Sequence, residues 1–225
     1  MIRSQADRCR DILADLSQGG RTDEHMRRVP MSALISEAAE PHKDRGAHII
    51  TRFHGQLIDK AGPQPIVYRR PEVVHGLRNL IQNAVDFADT TIWIDIAETG
   101  KSLRVTVGDD GPGYPDDMLT QLGDPYVRSR SRKTKTPGAH EESEYHGMGL
   151  GLFIAKTLLE KSGARLTFAS ADRSVRRKNR GKSLEDRSPS GAVAAAVWRL
   201  EDVVVPDQEG RAALGENPKF TIHNV

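Results

Sequence analysis

Cysteine, aromatic residues, long apolar runs and charge of one sign are all scarce in this 225-residue chain. Its single cysteine, Cys9, cannot close an internal disulfide, so a reducing compartment is the simplest setting. The longest apolar run, Ala192 to Trp198, has seven residues, whereas a helix crossing a bilayer needs ~20. No apolar signal-peptide core stands near the N-terminus, and the chain is expected to be soluble. Thirty-three Lys+Arg against 31 Asp+Glu leave a formal charge of +2, too balanced for a whole-protein nucleic-acid or membrane surface. No repeat period is visible. A hydrophobic content of 37% in a chain of this length is enough for one main core with an appended element or tail.

Residues 1–18 read as a helix in which Ile2, Ala6, Cys9, Leu13 and Leu16 recur in steps of four, three, four and three, the seam of a coiled coil. The polar hinge that follows, "SQGGRTDEH", offers nothing to cover that seam, which favours a dimer helix over one docked on its own domain. A globular unit is expected over 29–204, after a hinge at 19–28, with an irregular tail at 205–225. Within it, "AHIITRF" and "PIVYR" read as short strands, and Glu72 to Ala88 as a helix with Pro71 where a first turn tolerates it. Ile92, Ile94 and Ile96 alternate with Trp93 and Asp95, and Leu103, Val105 and Val107 with Arg104 and Thr106; Glu98 to Lys101 is their hairpin turn. A short helix at Pro115 to Leu122, a glycine-led helix ending at Ser162, and strands Ala164 to Ser170 and Ala192 to Leu200 complete an α+β sandwich of sheet and helices.

Four stretches could carry chemistry. In "PEVVHGLRNLIQNAVDFA", Leu77, Leu80, Ile81, Ala84, Val85 and Ala88 share one helical face, and Asn79, Asn83, Asp86 and Phe87 the other. Such a stripe is either a solvated face or a site; Asn is a poor helix former, and its carbonyl oxygen suits Mg²⁺, a hard ion that prefers oxygen ligands. In "VTVGDDGPGYP", Asp109 to Gly113 is either a plain turn or a strand-end carboxylate able to accept from an exocyclic amine such as that of adenine, with Gly111 and Gly113 letting the base lie on bare backbone. The polar stretch Pro125 to Gly147, with Arg128, Arg130, Arg132, Lys133 and Lys135 before Glu141, Glu142 and Glu144, is either solvated or a lid over an anion, the lid spanning about 123–147. Finally, Gly147, Gly149 and Gly151 open a helix, with Met148, Leu150 and Leu152 between them. They lack the Lys of a P-loop and the strand before a dinucleotide fingerprint, leaving a hinge, tight helix packing or a phosphate at a helix start.

Taken in order, Asn79-x-x-x-Asn83, Asp109-x-Gly111-x-Gly113, a polar loop and Gly147-x-Gly149-x-Gly151 resemble the N, G1 and G2 boxes of the GHKL ATP-binding superfamily. "PYVRS" resembles a degenerate F box, and the likeness covers roughly Val29 to Leu200. Within that superfamily the chain is most similar to sensor histidine kinases, and "GLRNLIQNAVDFA" with "DRCRDILADLS" resembles the RegB/PrrB/ActS redox-responsive subgroup. The resemblance implies a two-layer sandwich of a mixed five-stranded sheet on three helices that binds Mg²⁺ and ATP. It puts Asn83 on Mg²⁺, Asn79 near the phosphates, Phe87 against adenine and Asp109 on the adenine amino group; Gly111, Gly113, Gly147, Gly149, Leu150 and Gly151 shape the nucleotide loops.

Many histidine kinases carry Lys at the place of Asp86, so phosphate neutralisation is assigned to lid residues such as Arg128, Arg130 or Lys133. Related ATPases carry a Glu base at the place of Asn79; an amide cannot take a proton from water, so hydrolysis should be poor. The family's phosphoacceptor His sits in a motif like H-E-L-R-T-P, a context none of the eight histidines has. The resemblance therefore implies the end of a dimerisation helix plus a catalytic domain, from a homodimeric kinase anchored in the inner membrane with this part in the cytoplasm. That domain would serve a His on a separate dimerisation domain, for relay to a response regulator. In the subgroup a Cys at the place of Cys9 is a redox switch, flanked here by Arg8 and Arg10; the other reading is a small apolar residue in the seam. The alternatives are a GHKL ATPase or clamp, an anti-sigma-type serine kinase and a redox dimer. The basic linker from Arg173 to Arg187 has no aromatic to stack a base and is expected to be an exposed loop, not a nucleic-acid site.

Overall fold

A computed structural model describes residues 28–124 and 150–205. The expected dimer helix with Cys9, most of the lid with Arg128, Arg130 and Lys133, the glycines Gly147 and Gly149, and the tail beyond Val205 lie outside the described residues.

The chain enters through β1 (Arg28–Pro30) and α1 (Met31–Ala39), followed by a 3₁₀ turn at Glu40–His42 where Pro41 interrupts the helix. Next come β2 (His48–Phe53), β3 (Gln56–Leu57) and β4 (Ile66–Tyr68). Helix α2 (Pro71–Phe87) starts on Pro71, whose missing N–H costs nothing in a first turn. Strands β5 (Thr91–Glu98) and β6 (Ser102–Asp109) form the expected hairpin, closed by the Thr99 amide donating to Ser102 O at 2.8 Å. After the 3₁₀ turn at Asp116–Met118 the described chain resumes at α3 (Gly151–Lys161), β7 (Arg165–Ser170), α4 (Arg173–Lys178), β8 (Ala192–Arg199) and α5 (Leu200–Val203).

The architecture is α+β with a mixed sheet, but the sheet has six strands among the described residues, in the order β3-β2-β5-β6-β8-β7, not five. Two local facts account for the difference. The chain doubles back at His54-Gly55 to add β3 at the edge of β2, while "PIVYR", expected to be a sheet strand, pairs with β1 in a separate ribbon. Only β2 and β5 run parallel; the other pairs are antiparallel. Among the described residues three longer helices, α1, α2 and α3, are joined by two short ones, α4 and α5, so the simple three-helix layer also needs correction.

Period-2 alternation fixes the core face. Ile92, Ile94, Ile96, Leu103, Val105, Val107, Ala194, Ala196 and Trp198 are buried together with Leu77, Leu80, Ile81, Ala84 and Val85 of α2. Burying a Leu or Ile side chain is worth about 1.5–3 kcal/mol, so this face dominates the packing energy. Helix α3 crosses α2 at Gly76, where a Cβ would stand 2.6 Å from Leu159 Cγ. The close crossing explains a mid-helix glycine that costs helix propensity.

The other face of the sheet is covered in part. Trp93 is buried at 1% exposure. The linker between β7 and β8, expected to be a plain exposed loop, crosses this face as a strap. Trp93 Nε1 donates to Leu184 O at 3.0 Å, and Arg52 Nη1 donates to Glu185 O and Arg187 O at 2.8 Å each. Arg52 also forks onto Asp95, Nε to Oδ1 at 2.6 Å and Nη2 to Oδ2 at 2.8 Å. Further along, Pro189 lies against Gly108, where a Cβ would meet it at 2.5 Å.

Candidate nucleotide site

Helix α2 and the end of β6 build the centre of the site. Asn79 is buried, and its Nδ2 donates to His75 O at 2.8 Å, which leaves its carbonyl oxygen outside that bond. Asn83, one turn on, is half-buried, and its side chain makes no hydrogen bond among the described residues. Two amide oxygens on one helical face therefore stand as hard donors. Asp86, one turn beyond Asn83, accepts from Arg45 Nη2 at 2.8 Å. The arginine comes from the loop after α1, and Arg45 Nη1 also lies 3.4 Å from His42 Nδ1. Asp86 thus does not leave a bare negative charge on this face, and the cation that meets it is one the sequence reading missed.

Two adjacent carboxylates then tie three segments together. Asp109, 1% exposed, accepts at Oδ1 from the Gly111 amide at 3.0 Å and the Ala192 amide at 2.9 Å. Its carbonyl oxygen accepts from Ser190 and Gly191 at 3.0 and 2.8 Å. Asp110 turns the other way: Oδ1 accepts from the amides of Asp89, Thr90 and Thr91 at 2.9, 3.0 and 3.1 Å, and Oδ2 from the Thr90 hydroxyl at 2.6 Å. Alternation along β6 sends the two side chains to opposite sides, so one Asp holds the start of β8 and the other the α2–β5 connection.

Glycine is required here by crowding. A Cβ on Gly111 would stand 2.1 Å from Phe87 O, and one on Gly191 would stand 2.2 Å from Asp109 Oδ1. The end of α2, the Asp109 turn and the start of β8 thereby meet, bringing Phe87, Asp109 and Gly111 into one place. Gly113 adopts φ +85° beside Ser170, whose hydroxyl accepts from the Tyr114 amide at 2.8 Å. Leu150 is half-buried and Gly151 exposed at the start of α3; among the described residues no hydrogen bond joins either to the Asp109 turn. Gly191 was missed because a lone glycine in "SPSGAV" carries no signal beyond a loop.

The electrostatics are local. Asp172 caps α4, accepting from the Ser174 amide at 2.7 Å. Hydrogen bonds from the Ser174 side chain and backbone, with the charge of Lys178, hold this carboxyl below its ordinary value.

Residues 69–192, more than half of the chain, match the family described as histidine kinase-, DNA gyrase B-, and HSP90-like ATPase. The chain belongs to that family. This histidine-kinase catalytic domain of the GHKL fold is closely related to RegB-like sensor kinases: it is 46% identical over 223 residues to sensor histidine kinase RegB of Cereibacter sphaeroides, covering 96% of this chain and 44% of that protein. It is 34% identical over 176 residues to an uncharacterised sensor-like histidine kinase of Rhizobium meliloti, covering 77% of this chain and 29% of that one. The chain thus spans less than half the length of these curated relatives.

Among solved structures, the GHKL domain is similar in fold to the mycobacterial sensor histidine kinase MprB, with a TM-score of 0.56, 18% identity and coverage of 77% and 97% of the two chains. Full-length ShkA, solved in complex with AMPPNP, gives a TM-score of 0.54 at 16% identity, covering 91% of this chain and 38% of that one. No described helix is long and apolar enough to cross a membrane.

Proposed function

We propose that the chain binds Mg²⁺ and ATP at the α2–Asp109 site and donates the γ-phosphoryl group to a histidine of a separate dimerisation domain, for relay to a response-regulator aspartate. The observation that carries this reading is the meeting of α2 and the Asp109 turn, with the Phe87 carbonyl against Gly111 and the asparagine face on the same helix. The donors fit the cofactor: two amide oxygens of the hard kind Mg²⁺ prefers, and a buried carboxylate of the acceptor-only kind an exocyclic amine needs.

In this reading Asn83 ligates Mg²⁺, Asn79 orients the phosphates, Phe87 lies on the adenine and Asp109 accepts from its amino group. Gly111, Gly113, Gly147, Gly149, Leu150 and Gly151 shape the backbone around the nucleotide, and Arg128 and Arg130 reach the phosphates from residues 123–147. Mg²⁺ supplies neutralisation of phosphate charge when bound. The protein's own part is positioning, and with an amide at Asn79 in place of a base, water is not activated. Transfer to a protein acceptor is then favoured over hydrolysis, which argues against a GHKL ATPase; the helix read at residues 1–18, with Cys9, argues for a histidine-kinase neck over an anti-sigma-type serine kinase.

The proposal extends to organisation. Residues 1–18 are the end of a dimerisation helix in a homodimer, 19–28 a hinge, 29–204 the catalytic domain and 205–225 a tail; Cys9 acts as a redox switch. The parent is an inner-membrane kinase with this part in the cytoplasm, and the redox-responsive role follows the relationship to RegB. The test is trans-phosphorylation: the chain, labelled ATP, Mg²⁺ and a His-bearing helical hairpin. Label on the histidine with little free phosphate is expected, lost in Asn83→Ala. Rapid free phosphate without transfer would overturn the proposal in favour of an ATPase.

A further inference from the structure

The strap between β7 and β8 does more than cover Trp93. From the exposed side of α4, Arg176 sends Nη2 to Gly111 O at 2.7 Å and Asp110 O at 3.3 Å, 65 and 66 residues back in the chain. A guanidinium is permanently charged, and bonds from a charged donor are about twice as strong as neutral ones. Both ends of the arm that carries it are fixed. Asp172 caps α4, and Asn179 exchanges two hydrogen bonds with Ser188, Nδ2 to O at 2.7 Å and Oδ1 from N at 3.1 Å. Beyond Ser188 the strap runs through Pro189 on Gly108 to the Ser190 and Gly191 amides on Asp109 O.

The Asp110–Gly111 peptide is therefore held from both sides, by the strap's return on the Asp109 carbonyl just before it and by Arg176 on its own carbonyl and on the Gly111 carbonyl just after it. The same turn presents the Gly111 amide to Asp109 Oδ1 at 3.0 Å. Tilting that peptide turns the amide and with it the carboxylate. We propose that Arg176 is a positioning residue for the base end of the nucleotide site, holding the Asp109 turn in the geometry that accepts an adenine amine. This inference rests on the nucleotide-binding reading above. It assigns the linker a task that its basic composition alone does not reveal, because Arg176 acts through two backbone carbonyls.

The test is calorimetric titration of the full chain with ADP, once with Mg²⁺ and once with EDTA. Arg176→Met is expected to weaken ADP by about tenfold in both conditions, since the lost contact lies away from the metal. The ratio between the two conditions stays as in the unaltered chain, whereas Asn83→Ala abolishes it. Arg176→Lys, which keeps a charged donor, recovers part of the loss. Arg177→Met removes the same charge from the neighbouring exposed position and leaves affinity unchanged. The proposal is overturned if Arg176→Met binds ADP like the unaltered chain, if Arg177→Met weakens it equally, or if the Mg²⁺ ratio collapses with Arg176→Met. Should Arg176→Met unfold, Asn179→Ala carries the test, with a smaller loss expected in both conditions and no loss counting against the proposal. An unaltered chain that takes up no ADP is a separate result, against the nucleotide-binding reading itself.

Discussion

Gly191→Ala is the perturbation whose cost the structure defines best. The added methyl would stand 2.2 Å from Asp109 Oδ1, 2.5 Å from Gly111 O and 2.7 Å from Gly111 N. Carbon and oxygen settle no closer than about 3.3 Å even in weak hydrogen bonds, so the backbone at Gly191 must retreat by roughly 1 Å. Retreat breaks or stretches the bonds to Asp109 Oδ1 from Gly111 and Ala192, now 3.0 and 2.9 Å. Overpacking costs about 1–3 kcal/mol, and each bond to a buried carboxylate about 1.5–3 kcal/mol. The terms overlap, because one movement relieves the clash and breaks the bonds, and a total of about 3–5 kcal/mol is expected. Against a domain stability of ~5–15 kcal/mol, and at ~2–4 °C per kcal/mol for a chain of this size, melting should fall by about 6–20 °C. Circular dichroism at 222 nm measures it. Asp109→Asn is the comparison: the amide keeps an oxygen for both backbone donors, so melting falls by less than half as much while ADP affinity is lost. A Gly191→Ala protein melting within about 2 °C of the unaltered chain would refute the crowding argument.

Arg52→Ala removes the fork on Asp95 and two bonds to the strap; with Arg52 nearly buried and Asp95 30% exposed, a loss of about 3 kcal/mol is expected in urea unfolding. Arg45→Ala uncovers the Asp86 carboxylate beside Asn83 and should weaken Mg²⁺·ADP by about fivefold, with recovery in the Arg45→Ala/Asp86→Asn double variant, both read by calorimetry. Carboxyl NMR should find Asp172 titrating below the ordinary aspartate value of 3.8, moving part of the way back toward it in Ser174→Ala, which removes the hydroxyl but keeps the backbone donor and Lys178. A lowered folded-state pKa contributes stability above the unfolded value and loses it as pH falls through the folded one, so the cap of α4 frays only on acidification into that range.

Much of the fold could be read from periodicity. Helix α2 and the β5–β6 hairpin announce themselves because one face of each is apolar at the period its backbone demands. The placing of Asn79 and Asn83 on one helical face was legible for a related reason, since amides mid-helix run against local preference, whereas Asp109 heads an ordinary turn sequence and stood out only through the family resemblance. The strap was not legible. It holds Trp93 and Arg52 with carbonyl oxygens of Leu184, Glu185 and Arg187, and a carbonyl is common to every residue type. Strand β3 has two residues, too few for an alternation to register. Arg45 was invisible in the same way, because its meaning lies in Asp86, 41 positions away, and no local pattern joins them.

The pairing of Asp109 with Ala192 spans 83 residues and has a consequence for synthesis. Helix α2 and the first hairpin leave the ribosome early, but the Asp109 carboxylate lacks its Ala192 partner, and the Asp109 carbonyl its Ser190 and Gly191 partners, until the start of β8 has been translated. Nascent chains and products broken off before Ser190 hold both asparagines yet cannot complete the contacts of the Asp109 turn. At ~5–20 residues per second, the interval between the two halves amounts to several seconds during which the Asp109 turn stands without its support from β8.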